Sequence, residues 1–372
     1  MQLAMREAEK ARGHTSPNPF VGAIIVKDGK ILAKGRTQSY GSDHAEVDAL
    51  TKAGAEAKGA SMYVTLEPCC HYGKTPPCTK AIIKAGIRKV IIGIEDPNPL
   101  VAGKGIEELR TAGIEVVEGV LSEAIRTQNE AFLCHIQKQR PFVIWKAALS
   151  LDGKFAANDG SSQWITNEAA RSLVHRYRAQ SDAVLSGIRS VQKDDAMLNA
   201  RGIRGAKQPL RVVLDPLLEL NPRSRFALCA KDYPGLVFYH SAEAPRAEQL
   251  ASLGLELVKV AGNESELELN EVMNILHQRG VNTLFLETGN ILSEAFLRAR
   301  LVDKCLIFYG NKIIGGKNAI LSGLDLGSIH NAWNLRDTKF KKLGDNLLLS
   351  GYPVYDPSKP GLGATYLKTL KP

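Results

Sequence analysis

The sequence has no apolar run long enough to cross a bilayer; stretches such as VIIGI and CLIFY are strand-sized. Its opening, MQLAMREAEKARG, mixes charges into a helical period and lacks the apolar segment of a secretory leader. No membrane partner is expected, and the expected compartment is the reducing cytoplasm. Cysteine is scarce, at six in 372 residues. Cys69, Cys70 and Cys78 cluster, while Cys134, Cys229 and Cys305 stand singly in apolar segments, a distribution unlike a disulfide framework. The single three read as small buried hydrophobes. Aromatics make up only 6%, and the net charge of +9 is spread without a basic block. That composition speaks against a nucleic-acid surface and suits phosphorylated small molecules. No Gly-x-Gly-x-x-Gly follows a strand, which disfavours a Rossmann dehydrogenase.

What is present fills two domains. At 372 residues the chain is too long for one ordinary domain, and 44% apolar content is enough to bury two cores. The first part alternates helices and strands. A helix is predicted near Leu3–Arg12, then a hairpin of FVGAIIVKDG and KILAKGR turning at Asp28-Gly29. A helix near His44–Ala53, the strand SMYVTLE, a helix near Cys78–Ala85 and the strand RKVIIGI follow. A further helix, the strand IEVVEG and a long helix over Ser122–Gln139 complete a three-layer α/β unit. Arg140-Pro141 breaks that helix and marks a boundary, giving domains 1–140 and 141–354 and a Pro/Gly-punctuated tail, 355–372. The second part opens on PFVIWKAALS, too apolar to alternate and so buried on both faces. Helix Glu168–Gln180, strands DAVLSG, RVVLD and GLVFYH, helix Glu271–Arg279, strand TLFLE, helix Leu292–Ala299 and strand KCLIFYG make a second α/β sheet.

Chemistry concentrates in SDHAEVDAL and LEPCCHYGKTPPC. Ser42 or Asp43 can cap a helix, leaving His44 and Glu46 in its first turn. Two residues apart on a helix they point about 200° apart, so His44 is read as a metal ligand and Glu46 as a carboxylate near the metal but not on it. Thr75-Pro76-Pro77 is a helix start that puts Cys78 in the first turn, where the helix dipole favours its thiolate. Cys69 follows Pro68 at a strand end. His44, Cys69 and Cys78 make three ligands, which leaves one position of a tetrahedral Zn²⁺ open to water, the arrangement of a catalytic site. Glu46 then moves protons between water, a ring nitrogen and departing ammonia. His-x-Glu followed by Pro-Cys is the general signature of zinc deaminases, although its second cysteine normally follows at Cys-x-x-Cys and here at Cys-x8-Cys. Cys70 and His71 are not required as ligands, and a closed zinc ribbon would need a second ligand pair that is missing.

HAEVDAL and EPCCHYGKTPPC, with TSPNPFVGAIIVKDG and EDPNPLVAGKGIEELRTAGI, resemble the deaminase domain of the bifunctional riboflavin biosynthesis proteins. Downstream, SLDGKFA, SSQWIT, RAQSDAVLSG and DDAMLNAR are similar to the reductase domain of that family. The resemblance implies a cytidine-deaminase-like domain followed by a dihydrofolate-reductase-like one, one zinc ion per chain, NADPH, and a homo-oligomer. The implied reactions are deamination of 2,5-diamino-6-(5-phosphoribosylamino)pyrimidin-4(3H)-one and then reduction of its ribosyl group to ribityl. His44, Cys69, Cys78 and Glu46 carry over in the roles already read. Asn18 falls on a base contact and Lys74 on a phosphate contact, where unaided reading leaves a turn residue and a solvated lysine equally open. LETGNILSEAF runs from a strand through glycine into a helix, which unaided reading leaves equally open as a place for phosphate or an ordinary strand-to-helix turn. The family puts NADPH on Gly289, Asn290, Ile291, Leu292, Ser293, Glu294 and Ala295, and on Ala148, Trp164, Ser190 and Asp194. Substrate falls on Ser162, Arg178, Leu198, Arg201 and Glu287, with Lys146 beside the site. A buried structural role is the alternative for Trp164 and Leu198.

Some positions depart from the family pattern. Thr37 stands where histidine is usual, Cys70 where serine is frequent, Pro216 for a cofactor-touching serine, and Gly310-Asn311 for Ala-Pro. Two rival readings are open. A nucleic-acid base deaminase with an appended binding domain would need basic, aromatic stripes. A zinc-stabilised binding protein without turnover would be indifferent to loss of the Glu46 carboxylate.

Overall fold

A computed structural model describes residues 1–355. The tail read at 355–372 lies, from residue 356 on, outside the described residues. Contacts divide the chain into two compact units, Met1–Pro141 with His277–Asn282, and Phe142–Leu276 with the chain from Thr283 on.

The first unit contains α1 (Gln2–Glu9), β1 (Gly22–Lys27), β2 (Lys30–Arg36), α2 (Ala45–Ala53), β3 (Ser61–Leu66), α3 (Cys78–Lys84), β4 (Lys89–Ile94), α4 (Lys104–Thr111), β5 (Glu115–Val117), α5 (Ser122–Gln128) and α6 (Glu130–Lys138). The sheet order is β2-β1-β3-β4-β5. β1 pairs antiparallel with β2 and β3, and β3, β4 and β5 run parallel. The β1–β2 turn places Asp28 at φ 47° and Gly29 at φ 73°, the positive angles a tight hairpin demands. Ile25, Met62, Val64, Ile82, Val90, Ile92 and Leu109 fill the core. Gly35 lets α2 settle on β2: a Cβ there would lie 2.1 Å from the Ala45 carbonyl oxygen. That close approach fixes the helix start that carries His44. The long helix expected over Ser122–Gln139 is two helices, broken at the fully buried Asn129 (φ −102°, ψ 19°).

The remaining elements are β6 (Phe142–Leu149), α7 (Glu168–Gln180), β7 (Ala183–Gly187), α8 (Ile188–Asp194), β8 (Leu210–Leu214), α9 (Arg225–Leu228), β9 (Gly235–Tyr239), α10 (Ala244–Ser252), β10 (Glu256–Lys259), α11 (Leu269–Gln278), β11 (Thr283–Glu287), α12 (Asn290–Arg298), β12 (Lys304–Tyr309), β13 (Asn334–Leu343) and β14 (Asn346–Val354). They build a sheet of order β10-β9-β8-β7-β11-β6-β12-β14-β13. It is parallel from β10 through β12, with the β13–β14 hairpin added antiparallel. β6 is buried along most of its length, as its unbroken apolar run requires. β7, β11 and β6 are neighbours, so their carboxyl ends open side by side, where ligands of parallel sheets gather. Among the described residues no helix is long and apolar enough to cross a membrane.

Candidate active sites

In the first unit, side chains from a strand end and two helix starts converge. His44 is the extended N-cap of α2 (φ −76°, ψ 166°). Neither Ser42 nor Asp43 caps this helix, and no side chain does. Cys69 follows β3, and Cys78 opens α3 directly after Pro77, again without the side-chain cap expected from Thr75. His44 Nδ1 lies 3.5 Å from Cys69 Sγ and 3.4 Å from Cys78 Sγ. The three donor atoms all fall within 4.8 Å of one another.

The three donors are close enough to share protons. Its hydrogen bond to Cys69 raises the His44 pKa to about 9 against the opposing effect of burial, with the Glu46 and Cys69 charges adding to the rise. A hydrogen bond from the Cys78 thiol brings Cys69 down to about 4, burial opposing and His44 assisting. The shared proton correspondingly pushes Cys78 up. One imidazole nitrogen and two sulfurs within 4.8 Å of one another are a borderline-soft donor set that fits Zn²⁺. Cys70 turns aside, its Sγ 3.9 Å from the Leu100 carbonyl oxygen. Glu46, in the first turn of α2, is buried, and burial raises its pKa to about 7 against the His44 charge.

A cavity of about 250 Å³ opens onto this centre, and Asn18, His44, Glu46, Cys69 and Lys74 all line it. A turn closed by Asn18 N–H to Thr15 O and Thr15 Oγ1 to Asn18 O, each 3.0 Å, presents Asn18. Lys74 Nζ sits 4.1 Å from the centre of the Tyr40 ring. Thr37 also lines the cavity, and its hydroxyl accepts the Val21 N–H at 3.0 Å. Asp96, Asn98 and His71 also line it and were not read from the sequence as site residues. Glu67 explains how the Asp96 segment is held: its carboxylate accepts the N–H groups of Asp96, Gly103 and Ile106. Burial raises Asp96 to about 6.

In the second unit the residues cluster at the ends of β6, β11 and β7. Glu287 ends β11 in register with Lys146 of β6. Arg178, on α7, grips it in a two-point contact of 2.5 and 3.0 Å, and Lys146 Nζ lies 3.6 Å away. Burial alone would push the Glu287 carboxyl up; the Arg178 and Lys146 charges overcome it and hold the group at about 2. His175 adjoins this cluster and was not anticipated. Ala148 is half-buried further along β6. Gly289 begins α12, whose first turn has no side-chain cap, and its N–H donates to Ser190 Oγ at 3.2 Å. Uncapped N–H groups at the mouth of a parallel sheet fit a phosphate of a dinucleotide.

Several positions implied by the resemblance are used differently. Ser293 is fully buried, its hydroxyl accepting the Trp145 Nε1–H at 2.9 Å and its N–H donating to Gly289 O at 3.1 Å. Asn290 and Glu294 bind the 321–323 segment, Asn290 Nδ2 to Ser322 Oγ at 2.8 Å and Gly323 N–H to Glu294 Oε1 at 2.8 Å. Leu292 packs toward Gly187, Ala295 is half-buried and Ile291 is exposed. Trp164 is 59% exposed, with the Arg171 guanidinium 4.4 Å from its ring centre, so it is no core residue. Leu198 is buried at 3% exposure. Half-buried Ser162 and exposed Asp194 have no hydrogen bond to the cluster among the described residues, and the Arg201 side chain is exposed.

A cation centre with a buried carboxylate beside it, and a separate parallel sheet with a charged cluster at its strand ends, define a deaminase domain joined to a reductase domain. Residues 1–94 match the family "Cytidine and deoxycytidylate deaminase zinc-binding region", and residues 141–349 match "RibD C-terminal domain". The riboflavin biosynthesis protein RibD of Aquifex aeolicus is 41% identical, covering 94% of this chain and 96% of its own. RibD of Synechocystis is also 41% identical, over 95% of each. Among solved structures, Acinetobacter baumannii RibD superposes with a TM-score of 0.86 at 34% identity, over 95% of this chain and 98% of that one. The Thermotoga maritima diaminohydroxyphosphoribosylaminopyrimidine deaminase/5-amino-6-(5-phosphoribosylamino)uracil reductase gives 0.83 at 35% identity, over 95% and 97%. The chain belongs to the RibD family of bifunctional riboflavin biosynthesis enzymes, and its cofactors are Zn²⁺ and NADPH.

Proposed function

We propose that residues 1–140 deaminate 2,5-diamino-6-(5-phosphoribosylamino)pyrimidin-4(3H)-one and that residues 141–354 reduce the ribosyl group of the product to ribityl, giving 5-amino-6-(5-phosphoribitylamino)uracil. The observation that carries this reading is the convergence of His44, Cys69 and Cys78, with His44, Cys69 and buried Glu46 lining one cavity. His44, Cys69 and Cys78 hold the zinc ion, which when bound lowers the pKa of a water molecule. Glu46 would take both protons of the attacking water in turn, passing the first to the ring nitrogen and the second, from the added hydroxyl, to the departing ammonia. Its burial suits the task, because a carboxyl poised near neutrality both takes and gives protons. Asn18 orients the base and Lys74 meets the phosphate.

In the reductase half NADPH, when bound, would supply hydride to the sugar's C1′, with solvent supplying the accompanying proton. Ala148, Trp164, Ser190, Asp194 and the 289–295 segment bind the cofactor, Asn290 and Glu294 by way of the loop they organise. Ser162, Leu198 and Glu287 contact substrate, Lys146 lies beside it, and Arg178 and Arg201 clamp its phosphate. The protein's contribution there is orientation. Family membership further supports a cytoplasmic homo-oligomer acting on a phosphorylated small molecule, and a chain matching both family domains does not favour the nucleic-acid or non-catalytic alternatives. Purified protein supplied with zinc, NADPH and the diamino substrate is expected to release ammonia and then consume NADPH; neither event occurring would overturn the reading.

A further inference from the structure

The backbone that carries Arg201 is held by side chains and not by regular structure. α7 presents His175 and Arg178 three residues apart, hence on one face. Arg178 Nη1 donates to Asn199 O at 3.0 Å, and the Arg201 N–H donates to His175 Nδ1 at 3.3 Å. Between these anchors the Gln208 amide bridges both ways: Oε1 accepts the Ala200 N–H at 3.0 Å and Nε2 donates to Ala200 O at 2.9 Å. Asn199, Ala200 and Arg201 thus each have a backbone group fixed by a different side chain. Leu198, just before them, is buried with a left-handed backbone (φ 55°).

The charge around this segment is uneven. Arg178 is matched by Glu287, whereas Arg201 has no carboxylate partner among the described residues and feels instead the repulsion of Arg178 and Arg225. Guanidinium groups crowded in this way, on a backbone held this firmly, fit a multiply charged anion.

We propose that His175 and Gln208 are positioning residues for the reductase reaction, holding the Asn199–Arg201 backbone so that Arg201 shares one substrate phosphate with Arg178. The proposal rests on the reading of these two arginines as phosphate ligands. His175 serves only as a neutral imidazole with a bare Nδ1, because a protonated ring would set one donor against another. Burial, Arg178 and Arg201 push it down to about 4 while Glu287 and the Asn199 backbone oppose, so the ring stays neutral at working pH.

The test uses the full chain, following NADPH consumption with 5-amino-6-(5-phosphoribosylamino)uracil and with its dephosphorylated counterpart. His175→Ala is expected to raise KM for the phosphorylated substrate roughly tenfold with kcat within about twofold, the loss of one positioning hydrogen bond. KM for NADPH and ammonia release should not change, and the dephosphorylated substrate should not distinguish variant from parent. His175→Asn, whose Oδ1 can replace Nδ1, should restore most of the affinity, and Gln208→Ala should behave as His175→Ala does. In an Arg201→Ala background His175→Ala should add nothing. Equal effects on both substrates, an unchanged KM, or a defect that multiplies with that of Arg201→Ala would each overturn the positioning role. An Arg201→Ala enzyme with unaltered KM would instead overturn the phosphate-clamp reading, and the proposal with it.

Discussion

Arg178 and Glu287 face each other edge to edge, Nε to Oε1 at 2.5 Å and Nη2 to Oε2 at 3.0 Å, with side chains only 14% and 11% exposed. Removing one partner strands the other's charge. Glu287→Ala is therefore expected to destabilise the protein by about 3–5 kcal/mol in denaturant titrations. Glu287 is held at about 2 against an ordinary 4.5, so its contribution is complete above about pH 4.5 and is lost as pH falls toward 2. The stability difference between the parent and Glu287→Gln should accordingly be flat near neutrality and shrink across that acid window. A difference that grows on acidification would contradict the pairing.

Glu46 is predicted to separate metal binding from turnover. It is buried beside His44 but is not among the three converging donors. Glu46→Gln should keep one zinc per chain by elemental analysis while ammonia release falls about 10²–10⁴-fold. NADPH consumption on the already deaminated substrate should be unaffected. Ammonia release at the parent's rate would remove Glu46 from the proton path.

How much of this was legible in the sequence depended on where the chemistry is written. The zinc ligands and Glu46 lie in two short stretches whose residue types carry meaning without any knowledge of packing. Asp96, Asn98 and His71 reach the same cavity only because β4 lies against β3 and the loops beyond them fold over it, and no local pattern announces that. His175 is hidden in the same way: helical spacing shows that it shares a face with Arg178, but not that the 199–201 backbone lies opposite. The β13–β14 hairpin went unread because β13, NLRDTKFKKL, is exposed along nearly its whole length. A lysine-rich edge strand has no buried face to impose alternation. Burial also redirected Ser293, whose hydroxyl is spent on Trp145.

Of the neighbouring cysteines, only two should matter to the metal. Cys70 Sγ faces the Leu100 carbonyl and is not among the three converging donors. Cys70→Ser should retain full zinc and full ammonia release. Cys69→Ser and Cys78→Ser should lose zinc on dialysis and with it the deaminase activity, and chelation of the parent should reproduce that loss. NADPH consumption on deaminated substrate should survive in all three variants. Full zinc occupancy in Cys78→Ser would show that the ion sits elsewhere.

Ser190 ties the start of α8 to the turn after β11, its Oγ accepting the Gly289 N–H at 3.2 Å. That bond sets the N-terminus of α12, where uncapped N–H groups wait for a phosphate. Ser190→Ala frees Gly289 without disturbing the sheet beneath, and a lost hydrogen bond of about 1 kcal/mol corresponds to roughly a fivefold weaker complex. NADPH titration should show that weakening, with KM for the sugar substrate and ammonia release unchanged. Should NADPH bind Ser190→Ala as tightly as the parent, the cofactor phosphate does not rest on this helix start.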